Sequence, residues 1–255
     1  MKLLNWFLQL FSKPKLPQSL ILEDPKFTDA KYEEVFGGEI QDFGDTPSYD
    51  WRGFEPNYEP QSYGDCVTFS RNNCAETKAK ADGVKDDSGN EFNFSDLWLA
   101  VKAGTTQTGN SMGTVAEAAR KTGVVLEKDC NYTTDWNART ARVNATPATA
   151  KIYKFGAYSW ITPDKNTIKD ALQYSPVQLG IGLDYNYNTA TIVPKCTNPV
   201  AYHAITLQWI DELGQYHIFD HYNRKNKILA SDYIIKYAMS FRDLPLEWRG
   251  IAVEG

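Results

Sequence analysis

Residues 61–70 read Gln61-Ser62-Tyr63-Gly64-Asp65-Cys66-Val67-Thr68-Phe69-Ser70, which puts a thiol directly after a glycine turn. From Cys66 to Ala81 the chain holds neither Gly nor Pro, and Gly83 follows as a stop. The stretch therefore predicts a helix that starts at the cysteine. A free thiol with a pKa near 8.5 is only about 3% ionised at pH 7. A helix N-terminus and a neighbouring imidazolium both favour the thiolate, which is the nucleophilic form. On position alone Cys66 reads first as a buried structural thiol, because free cysteine is among the most buried residue types. An imidazole partner is what separates the two readings.

Only three histidines exist, His203, His217 and His221. His203 heads the alternating run His203, Ile205, Leu207, Trp209, 137 residues after Cys66. Alternation of this kind predicts a half-buried strand. Glu212-Leu213-Gly214 supplies a turn, and Tyr216, Ile218 and Asp220 then share one face of a second strand. Adjacent antiparallel strands would bring the His203 imidazole beside the Asp220 carboxylate, which fixes a tautomer and steadies an imidazolium. His217 and His221 fall on the opposite face of that strand. No CxxC or HxxxH spacing occurs, so these residues do not read as a zinc site, and no metal or cofactor is expected.

Between cysteine and histidine the pattern is helical first and extended later. Helices are predicted over 95–103 with Ser95 as N-cap, over 114–122 before Gly123, and over 164–174 between Asp164 and Pro176. Val177, Leu179, Ile181 and Leu183 then alternate as a strand. Helices followed by strands make an α+β protein of two unequal lobes. With 42% hydrophobic and 23% charged residues in 255, the chain can bury a sizeable core and is not disordered. A net charge of −5 argues against nucleic acid or an anionic membrane as the main partner. Four cysteines are too few for a disulfide scaffold, and no apolar run is long enough to span a membrane. Residues 1–44 form an N-terminal extension. Leu3, Phe7, Leu10 and Phe11 share a helical face in residues 1–18, and Pro14 ends it. That helix is open to docking on its own body or cleft, on a partner or on a membrane surface. No convincing signal peptide is present.

Taken in order, the motifs resemble papain-like cysteine peptidases. Pro47-Ser48-Tyr49-Asp50-Trp51-Arg52, then Gln61, then Gly64 to Ser70, is similar to the family's DWR segment, glutamine and GSCWAFS helix start. Phe94-Ser95-Asp96-Leu97 is similar to its FSEQ-L helix. Asp129 to Tyr132 stands at its YPY turn, Ser175-Pro176-Val177 at its PV strand entry, His203-Ala204-Ile205 at its HAV, and Tyr216 to Tyr222 at the strand ending in NSW. The resemblance spans about residues 45–240, and the spacing from Cys66 to His203 falls within the family's range. It implies a two-lobe α+β fold over 45–255, mainly helical to about 150 and a β-barrel-like lobe from 151, with the cleft between. It further implies Cys66 as nucleophile, His203 as general base and acid, Asp220 as the orienting residue, and the Gln61 amide in the oxyanion hole. Asn110, Ser111, Met112 and Tyr202 fall in the substrate-binding positions, and a protein or peptide is the expected substrate.

The departures are specific. Asp220 stands where the family has asparagine, Gln61 is one residue closer to the cysteine, and the glycine-rich substrate loop is reduced to Gly109-Asn110-Ser111-Met112-Gly113. Asp65 replaces a small residue; it is placed to cap the helix, and its charge is expected to oppose thiolate formation. The family's disulfide cysteines are largely missing, which points to a reducing compartment, cytoplasmic or virion-associated, and to bacterial or bacteriophage relatives. A cysteine endopeptidase is the leading reading. An inactive papain-like scaffold and a hydrolase of peptidoglycan amide bonds are the alternatives.

Overall fold

The computed structural model describes residues 20–23, 47–222 and 226–241. Among them are five α-helices: α1 (Cys66–Ala81), α2 (Asp96–Lys102), α3 (Met112–Lys121), α4 (Arg139–Asn144) and α5 (Lys165–Ala171). One sheet holds β1 (Ser159–Ile161), β2 (Val177–Leu183), β3 (Ile192–Val193), β4 (Ala201–Ile210), β5 (Tyr216–Phe219), β6 (Asn226–Leu229) and β7 (Ile235–Ser240). The strand order is β1-β7-β2-β4-β5-β6-β3, antiparallel except between β3 and β6.

The expected caps Ser95 and Asp164, and Ser111, which was not foreseen as a cap, accept backbone N–H groups of Trp98, Thr167 and Thr114, which otherwise have no partner in a first turn. Helix α3 begins at Met112 rather than 114, because Ser111 is its cap, and α5 stops at Ala171, short of 174. Short elements with weak periodicity, α4, β1, β3, β6 and β7, were not foreseen.

The β2 alternation is real, but both of its faces are buried. Val177, Leu179, Ile181 and Leu183 enter the core of the β lobe together with Ile205, Leu207 and Ile218. On the other face the side-chain amide of Gln178 donates to Val67 O and to Ser70 Oγ of α1, at 2.8 and 2.7 Å. Residues 48–51 lie on the β lobe: Ser48 N–H donates to Ile210 O, Trp51 N–H donates to Gln208 O, and the Trp51 indole donates to Leu172 O.

Helix α1 lies between the lobes and is buried on nearly every face, polar residues included. A polar group without water needs a partner. Asn72 donates to Asp96, Ser70 Oγ to Cys66 O, and Thr206 Oγ1 to Ser70 O, which joins the helix to both lobes. The N-terminus of this helix is thereby held against β4.

Candidate active site

Cys66 opens α1 with its side chain turned to β4, where the backbone N–H of Ala204 donates to Sγ at 3.2 Å. The turn before it depends on Gly64. A Cβ there would lie 2.5 Å from Gly109 N, so only glycine lets the two loops meet. Cys66 is 1% exposed, His203 0% and Asp220 3%. The β4–β5 hairpin brings His203 Nε2 within 2.9 Å of Asp220 Oδ1. His203 Nδ1 meets no nitrogen or oxygen partner, and the interaction on that side of the ring is with the Cys66 sulfur. The structure thus brings together the three residues that the sequence put forward.

Electrostatics favour a charged imidazole. Burial disfavours the cation, but the Asp220 carboxylate and the Cys66 sulfur outweigh it and raise His203 to about 9. Burial likewise opposes the Asp220 charge, yet His203 and Lys227 hold that carboxyl well below the usual range. His221 is different: enclosed beside Tyr58, Phe69 and Phe219, it is pushed down to about 4 mainly by burial. His217 is engaged away from the site, by Asp211 at 2.8 Å.

Asp65 departs from expectation. Its side chain makes no cap bond. It pairs instead with Arg139 through two bonds, 2.6 and 2.8 Å, and accepts the Tyr132 hydroxyl at 2.6 Å. The charge beside Cys66 is therefore compensated by a guanidinium that the sequence reading did not pair with it. Gln61 Nε2 donates to Tyr63 O at 2.6 Å, which engages one of its two amide hydrogens. Asn110 braces its own loop through Ala103 O and Thr105 Oγ1, Ser111 caps α3, and Met112 is sealed in the core.

The groove between the lobes is occupied by the chain's own residues 20–23. Leu20 N–H donates to Tyr202 O at 3.2 Å, and Ile21 N–H donates to Asn110 O at 2.9 Å, in a parallel bridge. The Leu20 side chain is buried over Gly180, and Glu23 accepts the Gly113 N–H at the start of α3 at 2.7 Å. The expected helix in residues 1–18 lies outside the described residues. Nothing in the sequence marked Leu20–Glu23 as special, because the short apolar run Leu20-Ile21-Leu22 carries neither helical nor strand periodicity.

No protein-family model matches the sequence, nor does any curated protein. Solved structures do. Xylellain, a cysteine protease from Xylella fastidiosa, is similar at a TM-score of 0.65 and 15% identity, over 89% of this chain and 96% of that one. Procathepsin L 3 of the Tenebrio molitor larval midgut gives 0.65 at 12% identity, over 86% and 75%. The clostridial cysteine protease Cwp84 gives 0.64 at 18%, over 79% of this chain; the chain spans only 58% of that protein. The fold is papain-like, as the motifs implied.

Proposed function

We propose that the protein is a cysteine-type endopeptidase with Cys66, His203 and Asp220 as its triad. The observation that carries the reading is the enclosed line formed by a helix-N-terminal sulfur, an imidazole and a carboxylate, in that order. Cys66 Sγ attacks the scissile carbonyl carbon as the thiolate. The oxygen that becomes anionic is received by the Cys66 backbone N–H and the free hydrogen of the Gln61 amide. The His203 imidazolium gives its proton to the leaving amine, and a thioester remains. Water, deprotonated by His203, then releases the acid and restores the thiolate. Asp220 keeps Nε2 engaged, so that Nδ1 faces the sulfur. The groove that holds Leu20–Glu23 is the channel for an extended substrate, and the chain as it stands is latent.

The test is hydrolysis of an unfolded protein by the full chain, and by its Leu20→Asp variant, which opens the groove. Cys66→Ala in that background is expected to remove hydrolysis by about three orders of magnitude or more. Activity is expected to fall at high pH through about 9, as His203 loses the proton it must donate. Hydrolysis that survives Cys66→Ala, or none from the opened chain, overturns the proposal.

A further inference from the structure

Asp220 is bonded more heavily than the orientation of an imidazole requires. Oδ1 accepts His203 Nε2 and the Tyr222 N–H, at 2.9 and 3.0 Å. Oδ2 accepts the Tyr187 hydroxyl at 2.6 Å and Lys227 Nζ at 2.7 Å. The Lys227 side chain is 0% exposed, stands on β6, also donates to Tyr222 O at 2.6 Å, and lies 4.4 Å from the Tyr187 ring centre. Enclosing an ammonium is expensive, by several kcal/mol even after relaxation, unless a charge repays it. Here the charge that repays it is the carboxylate already engaged by His203. One carboxylate therefore stands between two cationic groups, an imidazole on one oxygen and an ammonium on the other.

The charges around the site decide what this does. With Cys66 as thiolate and His203 as imidazolium, Asp220 leaves the enclosed set at −1, and Lys227 returns it to zero. Of the other titratable groups around it, Asp65 beside Cys66 is paired with Arg139, and the rest are neutral. Tyr187 is held protonated by burial and by Asp220, Tyr58 is shifted the same way, and His221 is pushed down by burial. A bare carboxylate in this setting would grip the imidazolium too tightly for it to release a proton to a leaving amine.

We propose that Lys227 is a charge-balancing and positioning residue of the triad: it holds the outer oxygen of Asp220, fixes the carboxylate's direction and cancels most of its field at His203. This rests on the peptidase reading above, because the imidazolium that Lys227 tunes is the one that reading uses.

The test uses the full chain with labelled histidine, and follows the three imidazoles by NMR as pH rises, with His217→Gln and His221→Gln for assignment. Lys227→Met is expected to raise the His203 midpoint by about one pH unit or more, since it removes a like charge from the other oxygen of the carboxylate that holds the imidazolium. Asp220→Asn with Lys227 kept is expected to lower it below wild type. The double variant should return to near the wild-type value. A purely structural role predicts lower stability with an unmoved midpoint, and that result overturns the proposal. Should Lys227→Met fail to fold, Asp220→Asn against the double variant makes the same comparison, and equal midpoints overturn it. Cys66→Ala separates the two readings. If it leaves His203 unmoved, the ion pair and the peptidase reading fall; if it lowers His203 while removal of Lys227 does nothing, only the Lys227 proposal falls.

Discussion

Asp65 sits one residue before the sulfur, and its effect there is set by a side chain 74 positions away. Arg139 meets it with two bonds, 3% and 0% of the two side chains remain exposed, and the rings of Trp136, Tyr63 and Tyr132 surround the guanidinium. Desolvation of such a pair offsets much of its attraction, but removing one partner leaves the other charge buried alone. Arg139→Gln is therefore expected to destabilise the protein by about 3 to 5 kcal/mol in urea unfolding. Asp65→Asn combined with Arg139→Gln should recover most of that, because no charge is then stranded. Losses that simply add would mean the pair is not coupled. From sequence, Asp65 was legible as an anomaly but its partner was not, since nothing local links residue 65 to a short helix at 139–144.

At the scale of elements, α1 shows how a motif can be read correctly and its surroundings missed. The start at Cys66 and the span to Ala81 follow from local signals, namely the Gly64 turn, the absence of breakers and the stop at Gly83. That its polar residues are buried depends on packing from both lobes, which leaves no mark in the helix itself. Glu76 is the clearest case. It accepts the Phe94 N–H at 2.6 Å, and burial raises its carboxyl to about 8, with Glu59 and Glu127 adding to the shift. The folded state thus holds a proton there that the unfolded chain releases near 4.5. The stability that this group contributes is full below about 4.5, falls as pH rises and is lost above about 8. Glu76→Gln keeps the acceptor and removes the ionisation. The slope of unfolding free energy between pH 5 and 7.5 should flatten by up to about 1.4 kcal/mol per pH unit, with little change near pH 4. An unaltered slope would show that Glu76 is already ionised in the fold.

For the whole molecule, the decisive contacts join parts that the chain keeps far apart. Cys66, His203 and Asp220 were legible through local signals, a helix start for one and a hairpin for the others, taken together with the resemblance to papain-like peptidases. Lys227 and Leu20 were not, since their roles exist only once the lobes have closed on each other. Leu20–Glu23 touches both lobes: Asn110 and Gly113 on the helical side, Tyr202 and Gly180 on the β side. Little besides Leu20 anchors it through apolar burial, for Ile21 and Leu22 are 46% and 39% exposed. Burying one leucine side chain contributes roughly 2 kcal/mol, and a carboxylate put in its place would have to be dehydrated beside Gly180 and Tyr237. Leu20→Asp should therefore release the segment without unfolding either lobe, because Leu20 is one of many side chains in the core cluster it joins. Initial hydrolysis by this variant is expected to exceed wild type by tenfold or more, while the melting temperature falls by only a few degrees. Glu23→Gln, which keeps an oxygen on the Gly113 N–H, should give a smaller gain. If Leu20→Asp cleaves in a Cys66-dependent way but no faster than wild type, the segment lies in the groove without restraining access to the sulfur, and latency must be sought elsewhere in the chain.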